Sequence, residues 1–152
     1  MARVRTSRNR VATNSYFLNV ITGGVITAGA NPLAEINYVL NVGVKYENLH
    51  EFANLLQWDL SFIAKVVGIS KQSLIRNKTQ RLNKLDSEKV IELAKLAGFC
   101  TDYFANIDSW NCWLDTAHIR FDGQPPRAFI DTIRGRELIK DLINKLKYGF
   151  CS

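Results

Sequence analysis

Apolar residues recur every three or four positions through most of the chain after residue 30, which predicts a succession of amphipathic helices. Asn31-Pro32 is a typical helix start, and Gly43 is a typical helix end. Further helices are predicted over residues 49–56, 87–97, 109–114 and 136–148, with Gly98 ending the second of these. The pattern therefore predicts an all-α fold.

Residues 60–82 contain the clearest local signal, which is two short helices around a tight turn. Ser61 is a candidate cap for the first helix, and Gly68 can take the left-handed conformation that ends it. Ser70 is predicted to cap a second helix that turns Leu74 and Ile75 inward. This order is typical of a helix-turn-helix motif, in which the second helix enters the DNA major groove.

The charge of the second helix supports that interpretation. Residues 70–84 include five basic residues and no acidic one. Polar side chains at the start of such a helix can read base edges, and lysine or arginine further along can neutralise phosphates. The candidate DNA-binding residues are Lys71, Gln72, Ser73, Arg76, Asn77, Lys78 and Arg81. The alternative is an ordinary helical hairpin with a solvated basic face.

The first 30 residues follow a different pattern. Residues 1–10 carry four arginines and no acid, which is typical of a solvated tail or of an arm along phosphates. Residues 17–26 are rich in β-branched and aromatic side chains around Gly23-Gly24, which favours a small hairpin or a segment ordered only by a partner. The apolar run is too short and too polar to span a membrane.

Composition favours an anionic partner and gives no support to an enzyme. The 152 residues include 20 basic and 14 acidic side chains, a formal charge of +6. Three cysteines form no CxxC pair, so we expect neither a disulfide framework nor a zinc site, and unpaired thiols fit a reducing cytoplasm.

The sequence shows no signal of catalysis. His50 and His118 are most simply surface or core histidines, and no nucleotide-binding or metalloprotease motif occurs. We therefore expect no catalytic residues, no metal and no cofactor.

The order of residues after the helix pair resembles a known family. Arg81-Leu82 precedes a leucine- and alanine-rich helix, and further matching positions are Trp113-Leu114, Gly123, Pro126, Thr132, Gly135 and Gly149. As a set, this succession resembles the Xre/MbcA/ParS antitoxins over roughly residues 33–149. That family carries an Xre-like helix-turn-helix followed by a small helical toxin-binding domain.

The resemblance implies a function and a set of toxin-binding residues. Such antitoxins of type II toxin–antitoxin pairs neutralise a toxin encoded beside them, commonly an NAD-consuming RES-domain enzyme or an ADP-ribosylating relative, and often repress their own operon. The implied toxin-binding residues are Trp113, Leu114, Gly123, Pro126, Gly135, Tyr148, Gly149 and Phe150. The tail after Gly149 would lie near the active site of the toxin.

Two departures from the family pattern bear on this expectation. Ser73 stands where the family often has threonine, and Asn77 follows Arg76 where a second arginine is usual, which implies one phosphate contact fewer. The loop over residues 115–118 lacks the usual proline-asparagine.

The resulting hypothesis is a cytoplasmic, non-enzymatic antitoxin that forms a homodimer and a complex with its toxin, and that binds operator DNA. Its predicted regions are a tail or hairpin over residues 1–30, a helix-turn-helix domain over 31–84 and a helical toxin-binding domain over 85–152. The alternative is a stand-alone helix-turn-helix transcriptional regulator.

Overall fold

The computed structural model describes residues 15–27 and 30–149, and in these ranges the chain is all-α. Helix α1 covers residues 15–21 of the described part. The other helices are α2 (Pro32–Asn41), α3 (Tyr46–Leu56), α4 (Leu60–Val67), α5 (Lys71–Arg76), α6 (Lys84–Phe104), α7 (Ile107–Leu114) and α8 (Ile133–Lys147). Two 3₁₀ turns, Ile119–Phe121 and Pro126–Phe129, lie between α7 and α8. None of the helices in the described ranges is long and apolar enough to cross a bilayer.

The predicted hairpin over residues 17–26 is wrong, because α1 covers the first part of this segment. Phe17 and Ile21 lie in the core, and the Phe17 and Phe52 rings are 5.6 Å apart. The hydroxyl of Thr22 donates to the Leu18 carbonyl at 2.7 Å and accepts from the Ile26 amide at 3.0 Å, which closes the helix end. Burial of one face has therefore overridden the β propensity of these residues. The predicted arginine tail, residues 1–10, lies outside the described residues.

Helix α2 begins where the sequence predicts it. The Asn31 side chain accepts from the Ala34 amide, and Pro32 occupies the first turn. Gly43, just after the helix, has φ +86°, and a Cβ there would lie 2.8 Å from the Leu82 carbonyl oxygen. Only glycine therefore allows the chain to pass this close to the segment that follows α5.

Helix α6 is longer than predicted at both ends. It begins at Lys84, and the Asn83 side chain accepts from the Asp86 amide at 2.8 Å. It also continues through the buried Gly98 to Phe104. Cys100 and Thr101, in the next turn, are buried as well. Packing in this turn offsets the cost of about 1 kcal/mol of a glycine within a helix.

The chain divides into two compact units, the first ending at Gly98 and the second beginning at Phe99. Within the first, α3, α4 and α5 surround a core that includes Leu49, Phe52, Leu56, Ile63 and Leu74. The core of the second includes Cys100, Trp110, Leu114, Ile130, Ile139 and Ile143. The predicted domain limits at residues 30 and 84 stay predictions.

Candidate functional sites

The α4–α5 pair has the predicted turn, with a different cap on its first helix. Asp59, not Ser61, caps α4, because its carboxylate accepts from the Phe62 amide at 2.7 Å. Gly68 ends α4 in the left-handed conformation, with φ +82°. The Ser70 hydroxyl then caps α5 and accepts from the Ser73 amide at 3.0 Å. The local signals at Gly68 and Ser70 are therefore confirmed, and together they set the direction in which α5 leaves α4.

Helix α5 is anchored to the first unit by a buried leucine and by a hydrogen bond from α3. Leu74 is fully buried, whereas Ile75 is exposed, so the prediction that both face inward is wrong for Ile75. A helix of six residues has room for few inward positions, and Leu74 occupies the central one. The Nε2 atom of His50, on α3, lies 2.6 Å from the Leu74 carbonyl oxygen. His50 therefore fixes a carbonyl in the last turn of α5, a role that its sequence position did not reveal.

The candidate DNA-binding side chains form a mostly exposed set. Lys71, Gln72, Arg76, Lys78 and Arg81 are exposed, and Ser73 and Asn77 are half-buried. Within residues 15–27 and 30–149, no carboxylate pairs with Lys71, Arg76 or Lys78. These three cations are therefore available to an anionic partner.

Arg81 differs from the other candidates because it already has a structural role. Its Nη1 atom donates to the Gly43 carbonyl at 2.8 Å. The backbone of residues 78–82 is tied to the loop before α3, since the Leu82 amide donates to the Val44 carbonyl at 2.7 Å and the Tyr46 amide to the Gln80 carbonyl at 3.0 Å. Arg81 and its neighbours therefore anchor the segment that follows α5.

In the second unit, three predicted toxin-binding residues are buried framework. Leu114, Pro126 and Gly135 all lie in the interior. Gly135 is in the first turn of α8, where its amide donates to the Thr132 hydroxyl at 2.9 Å. A Cβ on Gly135 would lie 1.8 Å from the Phe129 carbonyl oxygen, so a side chain cannot be accommodated without moving the backbone. These residues shape the unit and do not offer side chains to a partner.

Two arginines that the sequence interpretation missed hold the same framework together. Arg136 is buried, and its Nη1 atom donates to the Ile130 carbonyl at 2.9 Å. Arg127 binds the Asp115 carboxylate and donates to the Asn111 side chain at 2.8 Å, which fastens the second 3₁₀ turn to the end of α7. Helical spacing places Arg136 three residues before Ile139 on the buried face, and this is the only signal that could have identified it.

Trp113 belongs to a continuous series of ring contacts, which we call the aromatic row. The centroids of successive rings lie 4.9–6.1 Å apart. The row consists of Tyr103, Phe104, Trp113, His118, Phe121 and Phe129. Phe121 is buried, Tyr103 is exposed, and the others are half-buried. A surface with this much aromatic edge is typical of protein–protein contact sites.

A tight turn next to the row projects an aliphatic side chain into solvent. Gly123, with φ +75°, donates its amide to the His118 carbonyl at 3.0 Å, which closes the turn. The Nδ1 atom of His118 accepts from the Arg120 amide at 3.1 Å. Between them, Ile119 is 87% exposed. Sequence reasoning missed Ile119, because nothing in the local pattern distinguishes it from a core isoleucine.

The end of α8 lies beside the start of the aromatic row. Lys147 pairs with Asp102 at 3.2 Å, and its ammonium group lies 5.3 Å from the centre of the Phe99 ring. Tyr148 and Gly149 follow and are exposed. Phe150, the remaining predicted toxin-binding residue, lies outside the described residues. Tyr148 and Gly149 therefore lie close to Asp102, the neighbour of Tyr103, in the same unit as Trp113.

Within the described ranges, no cluster of histidine, cysteine or acidic residues could hold a metal ion. Two thiols are free in these ranges, Cys100 in the interior and Cys112 on the surface. Burial raises the pKa of the Cys100 thiol well above its usual value, an effect that the Lys140 charge opposes only partly. Cys100 is therefore a protonated core residue with little nucleophilic character.

Comparison with known proteins bears on the second unit. No curated protein matches the chain. Residues 101–149 match the family model described as the antitoxin Xre/MbcA/ParS C-terminal toxin-binding domain. The match covers less than half of the chain, and it includes the whole aromatic row, the Ile119 turn and α8. It confirms the predicted resemblance over residues 101–149, which are similar to the C-terminal toxin-binding domain of the Xre/MbcA/ParS antitoxins, and it does not reach the helix pair.

Proposed function

We propose that this chain is the antitoxin of a type II toxin–antitoxin pair and that it acts as an inhibitor and not as an enzyme. The target is an NAD-consuming RES-type toxin or an ADP-ribosylating relative encoded beside it. The observation that carries the proposal is the match of residues 101–149 to a toxin-binding domain.

The toxin is proposed to bind along the aromatic row and the two exposed groups that flank it. Tyr103 and Trp113 supply rigid ring surface, and Ile119 and Tyr148 supply side chains that are exposed in the free protein. Burial of aromatic and aliphatic groups of this kind accounts for most of the affinity at typical protein interfaces. The tail that follows Gly149 is proposed to reach the active site of the toxin, with Phe150 as its apolar anchor.

The first unit is proposed to bind the operator of the same operon, with α5 in the major groove. Three exposed cations on and after α5, namely Lys71, Arg76 and Lys78, have no carboxylate partner among the described residues and support this proposal. Recognition of a two-fold operator requires two copies of α5, so the chain is also proposed to form a homodimer.

Co-purification with the product of the flanking reading frame tests the inhibitor proposal. The tagged full-length chain should retain that product at a fixed ratio, and the isolated partner should consume NAD or modify a target protein only when the chain is absent. Good expression of both proteins without a complex would contradict the proposal.

A stand-alone transcriptional regulator is the second candidate, and the exposed basic side chains of α5 favour it. It requires binding to the promoter DNA of its own gene and no protein partner. Promoter binding together with a failed co-purification would select this function over the first.

A further inference from the structure

Helix α2 carries more apolar side chains than the core of its own unit covers. Tyr38 and Val39 face the interior of the first unit. On the outer side, Leu33 is 62% exposed, Ile36 is 51% exposed and Leu40 is 55% exposed. A soluble helix normally keeps its apolar residues on the one face that packs against the core. The outer side of α2 therefore has the character of a surface that a partner covers.

This row borders a groove that lies wholly within the first unit. The groove has a volume of about 450 Å³ and runs between α2 and the first turns of α6. Ile36 and Leu40 line it on one side, and Ile91 lines it on the other. It is open to solvent, and helices pack with the side chains of one inserted between those of the other at interaxial distances of about 8–10 Å, so a second helix is a suitable occupant.

The charges around the groove are balanced, in contrast to the rest of the molecule. Glu35 and Lys95 form an ion pair at 3.3 Å across it, and Glu88 and Lys84 complete its rim. Two acidic and two basic residues give no net charge, although the whole chain carries +6. A neutral apolar surface with acidic members does not attract DNA phosphates. It also lies outside residues 101–149, the range that matches the toxin-binding domain.

We infer that a second copy of this chain covers this surface, with the two α2 helices packed antiparallel across a two-fold axis. The inference rests on the homodimer proposed above and assigns its interface. Leu33, Ile36 and Leu40 are spaced by three and four residues, the spacing of a coiled-coil seam. Reversing the helix places Leu33 beside Leu40 of the partner subunit and Ile36 beside its own counterpart.

Self-complementarity is what distinguishes a second copy from an unrelated partner. In a two-fold interface the same patch serves both subunits, so an apolar row that reads nearly the same in both directions can pack on itself. A rim with both signs of charge lets each acidic residue approach a basic one, whereas the basic side of α5 would repel its own copy. The α2 surface meets both conditions.

The first test is the dissociation constant of the full-length dimer, measured by sedimentation. Ile36→Glu should weaken dimerisation on the order of a hundredfold, because two carboxylates would meet at the axis and the apolar contact would be lost. Val25→Glu is the matched control, since it makes the same change at a side chain of the first unit that is 63% exposed, and it should dimerise as the wild type does. A dimer that Ile36→Glu leaves unchanged would overturn the assigned interface.

A cross-linking experiment keeps the inference testable if Ile36→Glu fails to fold. In a background with Cys112→Ser and Cys151→Ser, the variant Ile36→Cys should form a disulfide-linked dimer on mild oxidation, because only residues near the axis bring their Cα atoms within about 7 Å of their counterparts. Val25→Cys should not cross-link.

Sedimentation and cross-linking together distinguish a failure of the proposed interface from a failure of the homodimer or of the antitoxin proposal. A wild-type chain that is monomeric throughout the micromolar range would overturn both the homodimer and the interface. A dimer in which Ile36→Cys gives no cross-link would overturn the interface alone. Capture of the toxin by Ile36→Glu should equal that of the wild type in either case, which keeps the antitoxin proposal independent.

Discussion

The two candidate binding surfaces of this chain use opposite physical chemistry. Helix α5 buries a single side chain, Leu74, and presents lysine, arginine and amide groups to solvent. The second unit presents rings and an exposed isoleucine, and its ion pairs, such as that of Arg127 with Asp115, fasten the unit internally. The first surface suits a polyanion whose affinity falls with salt, whereas the second suits a protein whose affinity depends on buried apolar area. Single substitutions should therefore separate the two activities.

In the second unit, the residues that hold the fold together and the residues exposed to a partner lie at clearly different positions, whereas on α5 they are close neighbours. Gly135 and Leu114 are buried and hold the unit together, while Ile119 and Tyr148 project from it. On α5, by contrast, one short helix carries its anchor and its contact side chains within six residues. Substitutions in the framework and at the contact positions should therefore have different effects.

Gly135→Ala should have the largest effect, a loss of about 3 kcal/mol in the free energy of unfolding, because its Cβ would overlap the Phe129 carbonyl oxygen. Urea denaturation of the full-length chain measures it. Gly123→Ala is the matched control, since nothing lies within 4 Å of a Cβ there and only the cost of a positive φ, about 1–2 kcal/mol, applies. Equal losses in the two variants would show that Gly135 is not a packing constraint.

Ile119→Asp should weaken toxin binding by about 2 kcal/mol and leave the stability of the chain within about 0.5 kcal/mol of the wild type. The side chain is almost fully exposed in the free protein, so its replacement removes few contacts there and acts on the proposed complex. Titration calorimetry with the co-purified toxin measures the loss. Thr116→Asp, at another exposed position of the same unit, serves as the control and should bind the toxin normally.

Arg76→Ala should weaken binding to promoter DNA by about 1–3 kcal/mol if the guanidinium reads a base edge. Fluorescence anisotropy at fixed salt is the appropriate measurement. Arg134→Ala removes an exposed arginine from the other unit and should leave DNA affinity unchanged. An Arg76→Ala variant with wild-type affinity would remove this residue from the DNA-binding set.

His50→Ala should have the smallest effect, about 1 kcal/mol in the free energy of unfolding, because it removes one hydrogen bond to the Leu74 carbonyl. DNA affinity should fall as well, since the last turn of α5 loses its support. Chemical denaturation and anisotropy together provide the check, with Glu51→Ala, an exposed neighbour on α3, as the control. Unchanged values of both would show that α5 is positioned by Leu74 alone.

Features with local causes were predictable from the sequence. Asn31-Pro32, Gly68 and Ser70 act within one helical turn, and all three have the predicted roles. The resemblance to the antitoxin family rested on a spaced set of residues, and the match confirms it over residues 101–149.

Features that depend on packing between distant segments were not predictable. Helix α6 passes through Gly98 because the next turn carries buried side chains, and residues 17–21 are helical because the core receives Phe17 and Ile21. The aromatic row joins rings from α6, α7 and both 3₁₀ turns, so no sequence window contains it. The exposure of Ile75 and Ile119 likewise follows from tertiary structure, since periodicity treats every isoleucine as a core residue.

The separation of the two binding surfaces is best tested by measuring toxin affinity and DNA affinity for two variants of the full-length chain, Ile119→Asp and Arg76→Ala. Ile119→Asp should lose toxin affinity and keep DNA affinity, and Arg76→Ala should do the reverse. If either variant weakens both activities together, or if Ile119→Asp binds the toxin as the wild type does, the assignment of two separate surfaces is contradicted.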